Sequence, residues 1–339
     1  LNQEQRRGQV RGIDYRLAEK IVGAGTNARR SVKIEWEGVD RLTAWRFGLA
    51  TAANVEIPAP LMDAAGDQVR AWHARAPMLS LTTRLRSAET AARLGVFSGA
   101  ALIDFYSQLD GDENAPADFQ DRGELLRRSY AAPSASERIE AMRDLWGRNT
   151  DSFLDLIALS GAAATLPVTE VSGTDASRLI AAMLTAGYDR SAMRWARSPA
   201  LQEADGIDAW ALLAVGAPTP VVTLDTARLG DYVAAEGQRG EMLLAGLAGL
   251  GRIRGDQLAQ AAESAALDFR PRTRWERAID SAAGRREKGT VALLAAVGMQ
   301  VRNWHQMPVR HVYHIVAALH RAGLDAEARM IAAEAVMRS

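Results

Sequence analysis

The stretch PVRHVYHIVAALHRAGLDAEARMIAAEAVMR, residues 308–338, decides the fold. After Pro308, the residues Val312, Ile315, Val316 and Leu319 recur at i, i+3, i+4 and i+7, which places them on one face of a helix. Gly323 supplies a residue free to take a left-handed conformation, Leu324 can fold back on the finished turn, and Asp325 can cap a second helix through its carboxylate. Ala328, Ile331, Ala332 and Ala335 form the apolar stripe of that second helix, and its alanines let it lie close to the first. The segment reads as an αα-hairpin. Val312, Ile315, Leu319, Ala328, Ile331 and Ala335 face inward in this reading, leaving Arg310, His314, Arg321, Glu327 and Glu334 for solvent. That is the division expected of a capping hairpin, 308–338, at the end of an array, covering a helix expected over Thr290–Val297.

The pattern is written more than once. Leu179–Ala196 aligns on Ile315–Ala332 without a gap, sharing Ala181/Ala317, Ala182/Ala318, Ala186/Ala322, Gly187/Gly323, Asp189/Asp325, Ala192/Ala328 and Ala196/Ala332. A fainter copy runs through Leu94, Gly95, Val96, Ser98 and Ala100. An alanine five residues after the turn glycine resembles the second half of a tetratricopeptide repeat, where small residues let the two helices of a unit pack. The aromatic and Leu-Gly positions of that repeat's first helix are missing, and Pro199 stands where the second alanine belongs. The resemblance is thus to the broad class of α-helical superhelical repeat proteins. It implies an all-α fold in which αα-hairpins stack into a tetratricopeptide-like superhelix or elongated helical array.

Composition agrees with mostly helix. The 339 residues exceed the usual size of one compact core, hydrophobic content is 48%, aromatics are 6%, and the most apolar segments are built on Ala, Leu and Met. With 41 basic and 41 acidic residues the formal net charge is +0, which argues against a dedicated nucleic-acid or anionic-membrane binder. The absence of cysteine excludes disulfides, thiolate catalysis and cysteine-ligated metal. The longest uncharged run, Ala209–Leu224, contains Pro218 and Pro220 and is too short to span a bilayer. Lysine occurs only at positions 20, 33 and 288, so 38 of the basic residues are arginine, a bias common in high-GC bacterial genomes. The first residue, Leu1, is expected to mark a processed protein or a fragment, and this fits an exported, periplasmic product as well as a truncated cytoplasmic one.

In chain order, residues 1–38 form an N-terminal extension and linker, with a short helix through Ile13, Leu17, Ile21 and Val22 ended by Gly23-Ala24-Gly25. Val32, Ile34 and Trp36 alternate with charged residues and give the best strand signal. Residues 39–110 hold the first hairpins: a helix capped by Asp40 through Trp45 and Leu49, one from Pro60 to Ala76, a third through Leu81, Leu85 and Ala88, and a fourth after Gly95. Asp110–Ala117 is an acidic loop and a candidate boundary, and 118–339 is the main array. There Phe119–Ala131 reads as a helix, and Ser134 followed by Glu137 as a capping box opening another. Helices over Leu224–Ala235, Glu241–Leu250, Gln257–Leu267 and Trp275–Ala283 follow. No βαβ unit interrupts them, so no dinucleotide-binding sheet is expected.

Four of five histidines, His305, His311, His314 and His320, fall in one stretch. At 100° per residue His320 lies about 180° from His311, so the set cannot converge on one ion, and no metal or other cofactor is expected. His311, His314 and Arg321 read as a polar stripe, and the eight tryptophans read as core except Trp304, beside His305 in a connection before Pro308. Trp304, His305, His311, His314 and Arg321 are therefore the candidate partner-binding residues. The basic cluster from Arg270 to Lys288 is interleaved with Asp268, Glu276, Asp280 and Glu287 and reads as a salt-bridged face. No nucleophile elbow or phosphate loop is present, and no catalytic residue is expected. Glu263-Ser264 resembles the catalytic pair of soluble lytic transglycosylases, but the glycine- and glutamine-containing pattern that follows it there is absent. Two functional expectations result. One is a non-catalytic scaffold holding a protein or peptide on a concave helical surface, possible in a bacterial envelope; the alternative is the superhelical accessory region of a peptidoglycan- or carbohydrate-active enzyme.

Overall fold

A computed structural model describes residues 34–109, 116–148, 152–301 and 303–339, and among these every regular element is helical. The helix expected at residues 13–22, the glycines at 23–25, Val32 and the acidic loop at 110–115 lie outside the described residues. Contacts divide the chain into two compact units, Leu1–Glu124 and Leu125–Ser339.

The first unit holds α1 (Ala44–Ala52), α2 (Ala59–Asp63), α3 (Asp67–Ala74), α4 (Leu81–Arg93), α5 (Gly99–Leu109) and the start of α6 (Ala117–Ala131). Thr43, not Asp40, caps α1, accepting from Arg46 N at 3.3 Å. The single helix expected from Pro60 to Ala76 is two, because Pro58 and Pro60 open a short one and Gly66 opens the next. Ile34–Trp36 has no strand partner among the described residues, and Ile34, Trp36 and Val39 pack on Phe47, Ala50, Ile57 and Leu61. Packing, not pairing, holds that segment. Gly95 turns α4 into α5, and buried His73 bonds Ser87 through Nδ1 at 2.9 Å. Burial and then Arg84 lower the pKa of His73, keeping it neutral.

The second unit continues α6 and adds α7 (Ala135–Arg148), α8 (Ser152–Thr165), α9 (Gly173–Thr185), α10 (Asp189–Met193) and α11 (Ile207–Gly216). Then come α12 (Thr226–Glu236), α13 (Gln238–Gly249), α14 (Gly255–Ser264), α15 (Arg274–Gly284), α16 (Lys288–Gly298), α17 (Val309–Ala322) and α18 (Asp325–Arg338). The Ser134–Glu137 capping box forms: Glu137 N donates to Ser134 Oγ at 3.2 Å and Ser134 N to the Glu137 carboxylate at 3.1 Å. Gly187 and Gly323 both take positive φ, +72° and +77°, at their hairpin turns, as the aligned copies require. The copies then diverge. After Gly323 a full helix follows, whereas after Gly187 α10 is one short turn continued by 3₁₀ segments, with Pro199 opening one of them.

The C-terminal hairpin packs on the helix over 290–297 that it was expected to cover and on others besides. Its first helix, α17, packs on α13, α15 and α16, while α18 packs on α9, α11 and α13. Helix α18 thus packs on α9 and α11, which lie more than a hundred residues earlier in the chain. Small residues make this possible. A Cβ added at Gly249 of α13 would stand 2.8 Å from Val316 Cγ1 and 3.0 Å from Ala317 N, and one at Gly246 would stand 3.0 Å from Ala332 Cβ. The buried stripe of α18 is accordingly Ala328, Arg329, Ala332, Ala333, Ala335 and Val336, with Ile331 only half-buried. On α16, Val291 and Ala295 face inward while Leu293 and Val297 remain 66% and 48% exposed, so the hairpin covers one side of that helix only.

Arg329 is 8% exposed and donates through Nη1 to Asp189 Oδ2 at 2.7 Å and to the Gly216 carbonyl at 2.8 Å. It joins α18 to α10 and to the end of α11, across 140 residues of sequence. Replacing Gly249 by Ala forces α13 off α17 and is expected to cost about 2 kcal/mol, read as a lower urea midpoint at unchanged slope. An unchanged midpoint would show that the two helices are not in close contact.

Candidate functional site

The five residues singled out in the sequence fall into two environments. Trp304 is in a 3₁₀ turn and is 7% exposed, so the exposed anchor expected there is instead a core side chain. Asn303 caps that turn through Gln306 N, folding the indole inward. His305 is exposed, and its backbone carbonyl accepts from Gln238 Nε2 at 3.1 Å. Arg321 is exposed near the end of α17, where a cation faces the negative end of the helix dipole.

His311 and His314 belong to the seam between α15 and α17. His314 is 1% exposed, contrary to its expected solvent position, and its Nδ1 lies 3.0 Å from Asp280 Oδ1. Its Nε2 is buried without a hydrogen-bond partner among the described residues. His314 adjoins buried Ile315 in sequence, and the packing of α17 on α15 takes it out of solvent. His311 is half-buried against the Trp275 ring, centroids 4.6 Å apart, with Nε2 3.9 Å from Glu276 Oε1. Burial lowers the His311 pKa and Glu276 opposes that shift. His320 pairs with Asp325, Nδ1 to Oδ1 at 2.5 Å, which takes the carboxylate expected to cap α18. No group of three or more His, Asp or Glu side chains among the described residues is placed to hold a metal ion.

Glu276 is the charged centre of this seam and was not expected to be buried. Its carboxylate is inaccessible to solvent, accepting from Thr273 N at 2.7 Å, Arg272 N at 2.6 Å and Arg310 Nε at 2.7 Å. Thr273 returns the bond by accepting from Glu276 N, completing a capping box at the start of α15. Burial pushes the carboxyl up, but the two backbone donors and the guanidinium outweigh it and hold the pKa down to about 2. The sequence did carry the signal, Thr273 followed by Glu276, but its place in a basic run made it look like surface charge. Around it the run is salt-bridged: Asp268 takes Arg270 and Arg272, and Glu287 takes Arg285.

An accessible groove of the second unit lies elsewhere, between α12 and α14. It is a groove of about 600 Å³, within the range of ligand-holding sites, about 300–1,000 Å³. Leu229, Val233 and Ala234 form the α12 wall, and Gln257, Gln260, Ala261 and Ala265 the α14 wall. Glu241, in the first turn of α13, supplies the charge, and its carboxylate has no hydrogen bond or ion pair to another described residue. Helix α14 has no buried residue, although Leu258, Ala261, Ala262 and Ala265 line one side of it. Ser264, at the end of that helix, donates to the Gln260 carbonyl at 2.9 Å, so the Glu263-Ser264 pair is engaged with its own backbone. The groove was missed in the sequence because Gln257–Leu267 resembles any alanine-rich helix.

No family model matches the chain, and neither a curated protein nor a solved structure matches it.

Removing the Arg310 partner tests the seam. Arg310→Met leaves a buried carboxylate with backbone donors alone and is expected to cost about 2 kcal/mol at pH 7. Because the folded-state pKa of Glu276 lies below its ordinary value of 4.5, this stabilisation is present above pH 4.5 and is lost as the pH falls towards 2. Denaturant midpoints of the two proteins should therefore converge below pH 4.5. A difference that stays constant with pH would contradict the role given to Glu276.

Proposed function

We propose that this chain is a non-catalytic protein-binding module and that the α12–α14 groove receives an amphipathic helix of its partner. The observation that carries this reading is α14 itself, which has no buried residue and whose Ala261, with Ala265 just after the helix, lines an open groove. Helix walls offer a guest no free backbone groups, and no strand edge exists among the described residues to which an extended peptide could add. A guest in the groove must satisfy its own N–H and C=O groups, which a helix does and an extended segment does not. The apolar walls call for aliphatic side chains at i, i+3, i+4 and i+7 of that guest, and the unpaired Glu241 carboxylate calls for a lysine or arginine beside them. Gln257 and Gln260 supply amide donors and acceptors at the rim. No described helix is long and apolar enough to cross a membrane.

Selection from a library of helical peptides randomised at four positions on one face tests this. Enriched peptides should combine aliphatic residues with one basic residue, bind the wild-type chain, and bind Glu241→Lys at least tenfold more weakly while its melting temperature stays within a few degrees. No enrichment over an Ala261→Arg chain, whose groove is filled by the new side chain, would overturn the reading.

A further inference from the structure

A second, smaller cavity of about 180 Å³ lies at the carboxyl end of α11. Leu213 and Ala214 form its floor, Val221, Val222 and Leu224 its apolar walls, and Arg252, in the turn after α13, its one charged lining residue. Trp210 Nε1 donates to the Thr223 carbonyl at 3.0 Å, tying the connection that carries the wall to the helix beneath it. The wall is thereby held in place without a guest.

Two arginines meet at this end of α11. Arg329 reaches the Gly216 carbonyl and is paired with Asp189. Arg252 donates through Nη1 to the Ala214 carbonyl and through Nη2 to the Ala217 carbonyl, and it has no carboxylate partner among the described residues. The carbonyl end of a helix carries only about half a negative charge. The guanidinium is therefore incompletely compensated: burial and then the charge of Arg329 lower its pKa to about 10, which leaves it cationic at neutral pH. Of its five N–H donors, the two carbonyls occupy two.

We propose that this cavity binds a short aliphatic carboxylate, with the carboxylate on the free donors of Arg252 and the alkyl group against Leu213, Val221, Val222 and Leu224. A fixed planar cation recognises a carboxylate with two parallel bonds, and an anion supplies the charge the site lacks. The volume sets the size. A cavity of about 150 Å³ takes a six-carbon ring, so about 180 Å³ suits a four- to six-carbon branched chain. Such a group is presented both by a free short-chain acid and by the last residue of a peptide ending in leucine.

The test titrates the full chain with 4-methylpentanoate, its uncharged amide, and Ala-Ala-Leu with a free or an amidated end, reading saturation transfer from protein to ligand methyl groups. The carboxylates should bind with millimolar dissociation constants and each amide at least tenfold more weakly. Binding by 4-methylpentanoate alone identifies a free acid as the source, and binding by the tripeptide alone identifies a chain terminus. Val222→Phe, which fills the cavity from its half-exposed wall, should abolish the signal with the melting temperature kept; Arg252→Gln should abolish it as well. Equal binding of acid and amide, no binding by either carboxylate, or undiminished binding to Val222→Phe would overturn the proposal.

Discussion

Close approach of three helix backbones governs the second unit. At Gly249 and Gly246 of α13 there is no room for another carbon between that helix and the residues Val316, Ala317 and Ala332 of the C-terminal hairpin. Dispersion and the removal of apolar surface from water act over such contacts only when side chains are small and complementary. The alanines on the facing sides of α17 and α18 are the sequence counterpart of that fit. Closing the chain over so many residues carries an entropic cost that grows only slowly with length, so a hairpin at the end of the chain can serve a unit begun far upstream. Helix α18 thus contacts α9, α11 and α13 together, helices that also pack on one another in sequence.

Polar groups in this unit work mainly at helix ends. Arg329 and Arg252 cover the last carbonyls of α11, and Glu276 covers the first amides of α15 while taking Arg310 from α17. Each satisfies backbone groups that a helix leaves orphaned and that burial would otherwise penalise. The asymmetry between them is informative: Arg329 has Asp189 and Glu276 has Arg310, whereas Arg252 has carbonyls alone. In the same way Glu241, at the head of an open groove, has no cation paired with it among the described residues. Both charges stand beside concave apolar surface in a chain whose formal net charge is otherwise balanced at +0.

Helix periodicity was legible in residues, and partnership between helices was not. The i, i+3, i+4 spacing of Val312, Ile315 and Leu319, the Gly187 and Gly323 turns and the Ser134–Glu137 box are local, so the chain states them directly. What His314 touches depends on where α15 lies, and nothing within a turn of it encodes that. A histidine beside a charged flank therefore reads as surface, yet it is sealed against Asp280. Trp304 was misplaced for a similar reason, since a tryptophan in a connection looks exposed until the connection is folded inward. Arg329 is the plainest case. An arginine one residue from the alanine stripe of α18 looks like a charge at the edge of a buried face, and only the distant Asp189 and Gly216 explain its burial.

The most direct measurement of this account is native-state hydrogen exchange along the whole chain. If the hairpin is the centre of its unit, the amides of Ile315–Leu319 and Ala328–Ala335 should exchange only with the slowest amides of α9, α11 and α13, in one cooperative opening. Exchange of residues 328–335 several orders of magnitude faster than α9 and α11, as a fraying terminal cap would give, would contradict it.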